Sequence, residues 1–240
     1  ISRGTVELLG ANEYRILSEN CREDAQYGLD TCAALESAKE TRKKDFGFLK
    51  AYAKLKLTGN YTDMDGLYYL PAIKSCKGNT DIAFSIGGDN YCYGNTALYA
   101  YLNRAFLKQG IKTVLWGCSI EPEVAAEADV AEDLRNYSIV AARESITYAA
   151  VKEIGANALL MPDPAFLMKA KACEVEDFFL QNEVIGINIS PMIINNEKNQ
   201  GAAYANYREL IQYILDNTDA YIALIPHVVW ANNDDRIPLK

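Results

Sequence analysis

Histidine is almost absent from this 240-residue chain, which has one, and its six cysteines, at 21, 32, 76, 92, 118 and 173, form no CxxC pair. Structural zinc draws on histidine and closely spaced cysteine, so neither a metal nor a cofactor is expected. Scattered thiols fit reduced cysteines in a cytoplasmic protein. No Lys/Arg run is long enough to mark a nucleic-acid or anionic-membrane surface, and the net charge is −8. A small anionic ligand remains compatible, because it needs only one or two local cations. No apolar stretch approaches the ~20 residues of a membrane span, and no signal peptide is visible. The chain starts at Ile1 and stops at "RIPLK", so residues are expected to be missing before Ile1 and after Lys240.

What is present is apolar. Half of the residues are hydrophobic, ample for a sizeable core. Short apolar runs ("EYRILSE", "DIAFSIGG", "IKTVLWGCS", "YSIVAARE", "ALLMPDPAFLM") read as strands. Between them, "KKDFGFLKAYAKLKL", "NTALYAYLNRAFLKQG", "PEVAAEADVAEDLRN" and "SITYAAVKEIG" read as helices. Continuously apolar strands separated by helices indicate a parallel sheet covered on both faces. This predicts a Rossmann-like α/β domain over residues 1–170.

A charged linker with a short helix is predicted over 171–182. From 183 to 240, "VIGINIS", "YANYRELIQYILDNTD" and "AYIALIPH" form one β-α-β unit. One such unit cannot cover both of its faces, so it reads as the start of a second, incomplete Rossmann-like domain. Between Gly4 and Glu13 only about eight residues are available, fewer than the ~10–12 of a crossover. Residues are therefore expected to be missing near Leu9.

The chemistry gathers where strands end. In "DIAFSIGGDNYCYGN" a strand runs into Gly87 and Gly88, whose small size lets a ligand approach the backbone. Unpaired N–H groups at the following helix start would favour an anion. Asp89 and Asn90 would bond hydroxyls, and Tyr91 and Tyr93 would give a sugar or base a flat face. A plain tight turn with Asp89 as helix cap is the competing explanation. Other strand ends carry Gly117, Cys118 and Ser119; Arg143 and Glu144; Asp163 between two prolines; Asn188 and Ser190; and His227. Arginine grips a carboxylate or phosphate through paired hydrogen bonds. Each residue also has a plain structural role open to it: surface charge, cap, core filler, satisfied histidine.

Taken in order, "SIGGDNYCYG", "WGCSIEP", "AARESITYAAVKEIGA", "PDPAFLM", "IGINISP" and "LIPH" resemble the polysaccharide pyruvyl transferase family. "SRGTVELLG" is similar to that family's first Gly-turn, and "ILSENCRED" to its second strand. The resemblance implies two Rossmann-like domains in a GT-B-like arrangement. It also implies transfer of a pyruvyl group from phosphoenolpyruvate to a sugar acceptor, forming a ketal, with peripheral contact to a lipid-linked glycan. The family's Arg-x-His motif, associated with the donor, does not occur in these residues. Asp89, Asp163 and His227 are the titratable candidates for proton transfer. Gly87, Gly88, Asn90, Tyr91, Gly117, Ser119, Arg143, Asn188 and Ser190 are the candidates for substrate binding. Two competing functions share the architecture: a nucleotide-sugar glycosyltransferase and a non-catalytic carbohydrate-binding relative.

Overall fold

A computed structural model describes residues 2–41, 45–87, 89–92, 96–168, 172, 174–230 and 233–239. The chain divides into two compact units, Ile1–Ala170 and Lys171–Lys240. In the first, helix α1 (Ser2–Leu9) leads to β1 (Arg15–Ser18), α2 (Cys21–Gln26) and β2 (Ala34–Ser37). Three helices follow: α3 (Phe46–Thr58), α4 (Thr62–Leu67) and α5 (Leu70–Ser75). Then come β3 (Ile82–Ile86), α6 (Thr96–Leu107), β4 (Lys112–Cys118), α7 (Pro122–Ala125), α8 (Ala128–Asn136), β5 (Ile139–Ala142), α9 (Ser145–Glu153) and β6 (Ala158–Leu160). A 3-10 turn, Pro164–Leu167, closes this series.

Strands β3, β4, β5 and β6 lie in that order in one parallel sheet, while β1 and β2 form a separate parallel pair. The expected covering of both sheet faces holds for β4, which is buried at six of its seven positions. Leu115, Cys118 and Val140 pack with Leu134, Val151 and Tyr137 on one side. Val114, Trp116 and Ala141 pack with Phe84 and Met161 on the other. Burying a side chain of this kind stabilises by roughly 1.5–3 kcal/mol. This parallel α/β build matches the predicted class.

Three local expectations change. "SRGTVELLG" forms α1 rather than a Gly-turn. The Gly10 N–H closes the helix on the Val6 carbonyl, and Asn12 bonds the Leu9 carbonyl. The single helix read in "PEVAAEADVAEDLRN" breaks into α7 and α8 at Ala126 and Glu127. On an unbroken helix Ala125 would point about 140° from Val130 and 180° from Leu134. The break turns all three into one core. Strand β6 has three residues, and the Met161 N–H on the Ala142 carbonyl makes its last rung before the two prolines.

The second unit contains α10 (Asp177–Gln181), β7 (Val184–Ile187), α11 (Pro191–Asn196), α12 (Ala202–Asn217), β8 (Tyr221–Leu224) and the two-residue strands β9 (Val229–Trp230) and β10 (Asn233–Asp234). Strands β7 and β8 pair in parallel, as expected of a β-α-β unit, and β9 with β10 antiparallel.

Helix α1 is fixed by close approach. Gly4 and Thr5 are buried, and the Trp116 indole N–H donates to Thr5 Oγ1 at 2.9 Å. A Cβ on Gly4 would lie 2.6 Å from the Pro164 carbonyl oxygen. By helix propensity alone, alanine there should stabilise by roughly 1 kcal/mol. Overpacking against backbone costs about 1–3 kcal/mol. Gly4→Ala is therefore expected to lower the melting temperature, and a raised one would contradict this docking.

Candidate functional site

The carboxyl ends of β3, β4, β5 and β6 lie side by side, as parallel pairing in this order requires. Arg143 leaves β5 with its N–H on the Cys118 carbonyl. Its side chain then makes three hydrogen bonds to three other strand ends. Nε donates to Ser119 Oγ at 2.7 Å, Nη1 to Asp163 Oδ2 at 3.1 Å and Nη2 to Asp89 Oδ1 at 2.9 Å. Four residues singled out from separate motifs thus meet at one guanidinium. Its side chain is 27% exposed, and those of Asp89 and Asp163 are 58% and 22% exposed.

Glu144, the neighbour of Arg143 at this strand end, serves the helix instead. It caps α9, accepting from the Ile146 N–H at 2.6 Å and the Thr147 N–H at 3.0 Å. Burial opposes its ionisation, but these hydrogen bonds hold its carboxyl below the ordinary value. Thr147, which the sequence did not flag, fixes the Ser119 loop. Its buried hydroxyl accepts from the Ile120 N–H at 2.7 Å and donates to the Ile120 carbonyl at 3.1 Å. A threonine two positions after a helix start carries no sequence mark of such a role. Asp163 combines two roles, taking the Ala165 N–H at 2.8 Å on one oxygen and Arg143 on the other.

The stretch after β3 answers differently from expectation. Gly87 has φ +136°, a region that side chains rarely adopt, and Gly88 and Tyr93 lie outside the described residues. Asn90, expected to meet substrate hydroxyls, folds back so that its amide donates to Ser85 Oγ at 3.0 Å. Tyr91, expected as a flat sugar platform, is a core residue with 1% exposure. Its φ of +70° turns the ring inward, against Tyr99 and Tyr137. A non-glycine residue in this region costs of order 1–3 kcal/mol unless its surroundings hold it. Here the hold is a buried network. The Tyr91 hydroxyl donates to Asp133 Oδ2 and lies 3.1 Å from the Tyr137 hydroxyl, while Asn103 Nδ2 donates to Asp133 Oδ1 at 3.0 Å. With Tyr91 anchored below, Asp89 projects toward Arg143.

Gly117 is also explained by packing. Its φ is +68°, and a Cβ would sit 2.8 Å from Pro164 Cδ, so the glycine admits the proline rather than a ligand. In the second unit Asn188 donates to the Ile225 carbonyl at 2.8 Å and to Asp235 Oδ2 at 3.0 Å. The same Asp235 oxygen accepts from the His227 and Val228 N–H groups, each at 2.9 Å. Ser190 caps α11 through the Met192 N–H. The polar groups of Asn188 and Ser190, expected on substrate, hold strand ends here, whereas the His227 ring is exposed.

Five cysteines are free, and Cys173 lies outside the described residues. Burial pushes the Cys118 thiol up to about 12. Burial, then the Asp89 charge, raises Cys92. Neither is an activated thiolate. Among the described residues no group of three or more His, Cys, Asp or Glu is placed to hold a metal ion.

The network under the site has a pH signature. Burial raises the Asp133 pKa, although the Tyr91 and Asn103 hydrogen bonds oppose this. Ionisation of Asp133 therefore weakens the fold, a penalty that begins above the ordinary aspartate value and is complete once pH has risen through the raised folded-state value. Tyr91→Phe removes a donor that favours the ionised form, at a cost of about 1–3 kcal/mol. Its loss of melting temperature relative to the parent is expected to be larger near about pH 8 than near about pH 5. An equal loss at both would contradict a charged Asp133 under the loop.

No curated protein and no solved structure matches the sequence. A family model, polysaccharide pyruvyl transferase, matches residues 7–234, and it spans every strand end that meets at Arg143. The chain thus belongs to the polysaccharide pyruvyl transferase family and is a transferase.

Proposed function

We propose that this transferase moves the pyruvyl group of phosphoenolpyruvate onto two hydroxyls of a sugar, forming a ketal in surface-polysaccharide assembly. The observation that carries the reading is the guanidinium of Arg143, with a carboxylate on either side, at the strand ends. Ligands of open parallel sheets bind at such ends. The donor carries a carboxylate and a phosphate, and Arg143 offers the planar, paired donors that such groups take. Asp89 is the more exposed of its two partners. An exposed ion pair contributes only about 0–1 kcal/mol, so a donor anion displaces Asp89 at little cost. Asp89 then faces the incoming sugar.

The reaction balances around these groups. A proton adds to the methylene carbon of the enol, the two sugar hydroxyls bond to the adjacent carbon and lose their protons, and phosphate leaves from that carbon. Asp89 and Asp163 are the proposed acceptors of hydroxyl protons. His227, the single histidine of the sequence, is the proposed proton donor to the enol carbon. The two units would form a GT-B-like arrangement, with peripheral contact to a lipid-linked glycan and the cytoplasm as the compartment. Among the described residues no helix is long and apolar enough to cross a membrane.

Arg143→Lys tests the reading. A charged hydrogen bond is worth roughly 1.5–3 kcal/mol, and ~1.4 kcal/mol is a factor of ten. The Michaelis constant for phosphoenolpyruvate is expected to rise about tenfold or more, with the sugar constant nearly unchanged. Phosphate release from phosphoenolpyruvate follows the turnover. A lowered melting temperature with an unchanged donor constant would leave Arg143 a structural role alone. Release of a nucleoside diphosphate from a sugar nucleotide instead would make the protein a glycosyltransferase.

A further inference from the structure

The chain's negative charge conceals an uneven distribution. Residues 39–112 hold twelve of the 24 Lys and Arg but six of the 32 Asp and Glu, so this segment carries +6 and the remainder −14. Asymmetry of this size points to an anionic partner even without a long basic run.

Helix α3 lies within the segment, with three lysines and no acidic residue. It has two apolar faces. One holds Ala51, Phe48 and Leu55, which are buried or half-buried. The other is open: Phe46 is 82% exposed, Leu49 59% and Leu57 86%. At 100° per residue, Phe46, Leu49, Ala53 and Leu57 fall within about 80° of one another. Lys50 and Lys56 flank this stripe about 20° beyond its two edges. Lys54 lies further round and pairs with Asp63 at 2.9 Å. A water-exposed stripe of large apolar side chains, edged by lysines on both sides, is the pattern of a helix lying in a lipid interface. The apolar groups enter the acyl boundary, and the lysine stems follow them while the ammonium groups stay among the headgroups.

We infer that α3 docks this protein on an anionic bilayer surface through Phe46, Leu49 and Leu57, with Lys50 and Lys56 on the headgroups. Nucleic acid would use the charge but not the stripe. A second copy of the chain would use the stripe but meet the same lysines. This inference stands on α3 alone and does not depend on the donor or acceptor proposed above.

Cosedimentation of the purified protein with phosphatidylglycerol/phosphatidylcholine vesicles, beside pure phosphatidylcholine vesicles, tests it. Binding to the anionic vesicles is expected, weakened several-fold at roughly 0.5 M salt. Leu49→Glu combined with Leu57→Glu should reduce it about tenfold or more, with an unchanged melting temperature, because both side chains are exposed. Lys50→Glu combined with Lys56→Glu should remove the preference for anionic lipid. No binding to either vesicle, or undiminished binding by the leucine variant, would overturn the inference. So would a concentration-dependent dimer that the leucine variant abolishes while vesicles are not bound.

Discussion

One guanidinium joins what parallel pairing leaves apart. Parallel strands β3, β4, β5 and β6 bring their ends side by side, but backbone hydrogen bonds stop where the loops begin. Arg143 crosses that boundary, from β5 to Ser119 after β4, Asp163 after β6 and Asp89 after β3. The guanidinium is only partly exposed, and its donors are satisfied where each loop brings an oxygen within reach. The geometry of the site is therefore a condition on three separate loops.

Each loop meets that condition by a different device. The Asp89 loop is anchored from beneath by Tyr91, whose hydroxyl reaches Asp133 in the core. The Ser119 loop is tied to α9 through the Thr147 hydroxyl. The Asp163 loop is set by the packing of Pro164 into the space that Gly117 leaves, and by α1 lying over its carbonyl. Rigid support of this kind lets a site hold charge in place before a ligand arrives. Burial disfavours the thiolates of Cys118 and Cys92, the two thiols closest to these loops in sequence.

The sheet residues were legible in the sequence because an apolar strand followed by polar groups carries a period that can be counted. Asp89, Ser119, Arg143 and Asp163 were found in this way. Their mutual contacts were not, since strand order cannot be read from periodicity. Tyr91 was misread because its neighbours in sequence are polar, while its neighbours in space are Tyr99, Tyr137 and Asp133. Only the backbone sign at Tyr91 separates an outward ring from an inward one. Thr147 carried no mark of its role, and Glu144 was open to reading as a surface charge at a strand end. Asn188 and Ser190 sat at a strand end as expected, yet their polar groups serve Asp235 and the α11 cap. The α3 stripe was missed because dispersed lysines do not form a run.

In the proposed reaction Arg143 and Asp89 act as one unit: the donor engages the Arg143 guanidinium by releasing Asp89, which then takes a proton from the sugar. A double-mutant cycle on kcat/KM for phosphoenolpyruvate tests it most directly, using Arg143→Lys, Asp89→Asn and both together. Residues in one hydrogen-bonded network couple by roughly 0.5–3 kcal/mol, whereas independent sites add. The double variant is expected to lose about as much as the worse single variant, with all three retaining the parent's fold by circular dichroism. Losses that simply add would contradict it, because Arg143 and Asp89 would then serve the reaction separately or not at all.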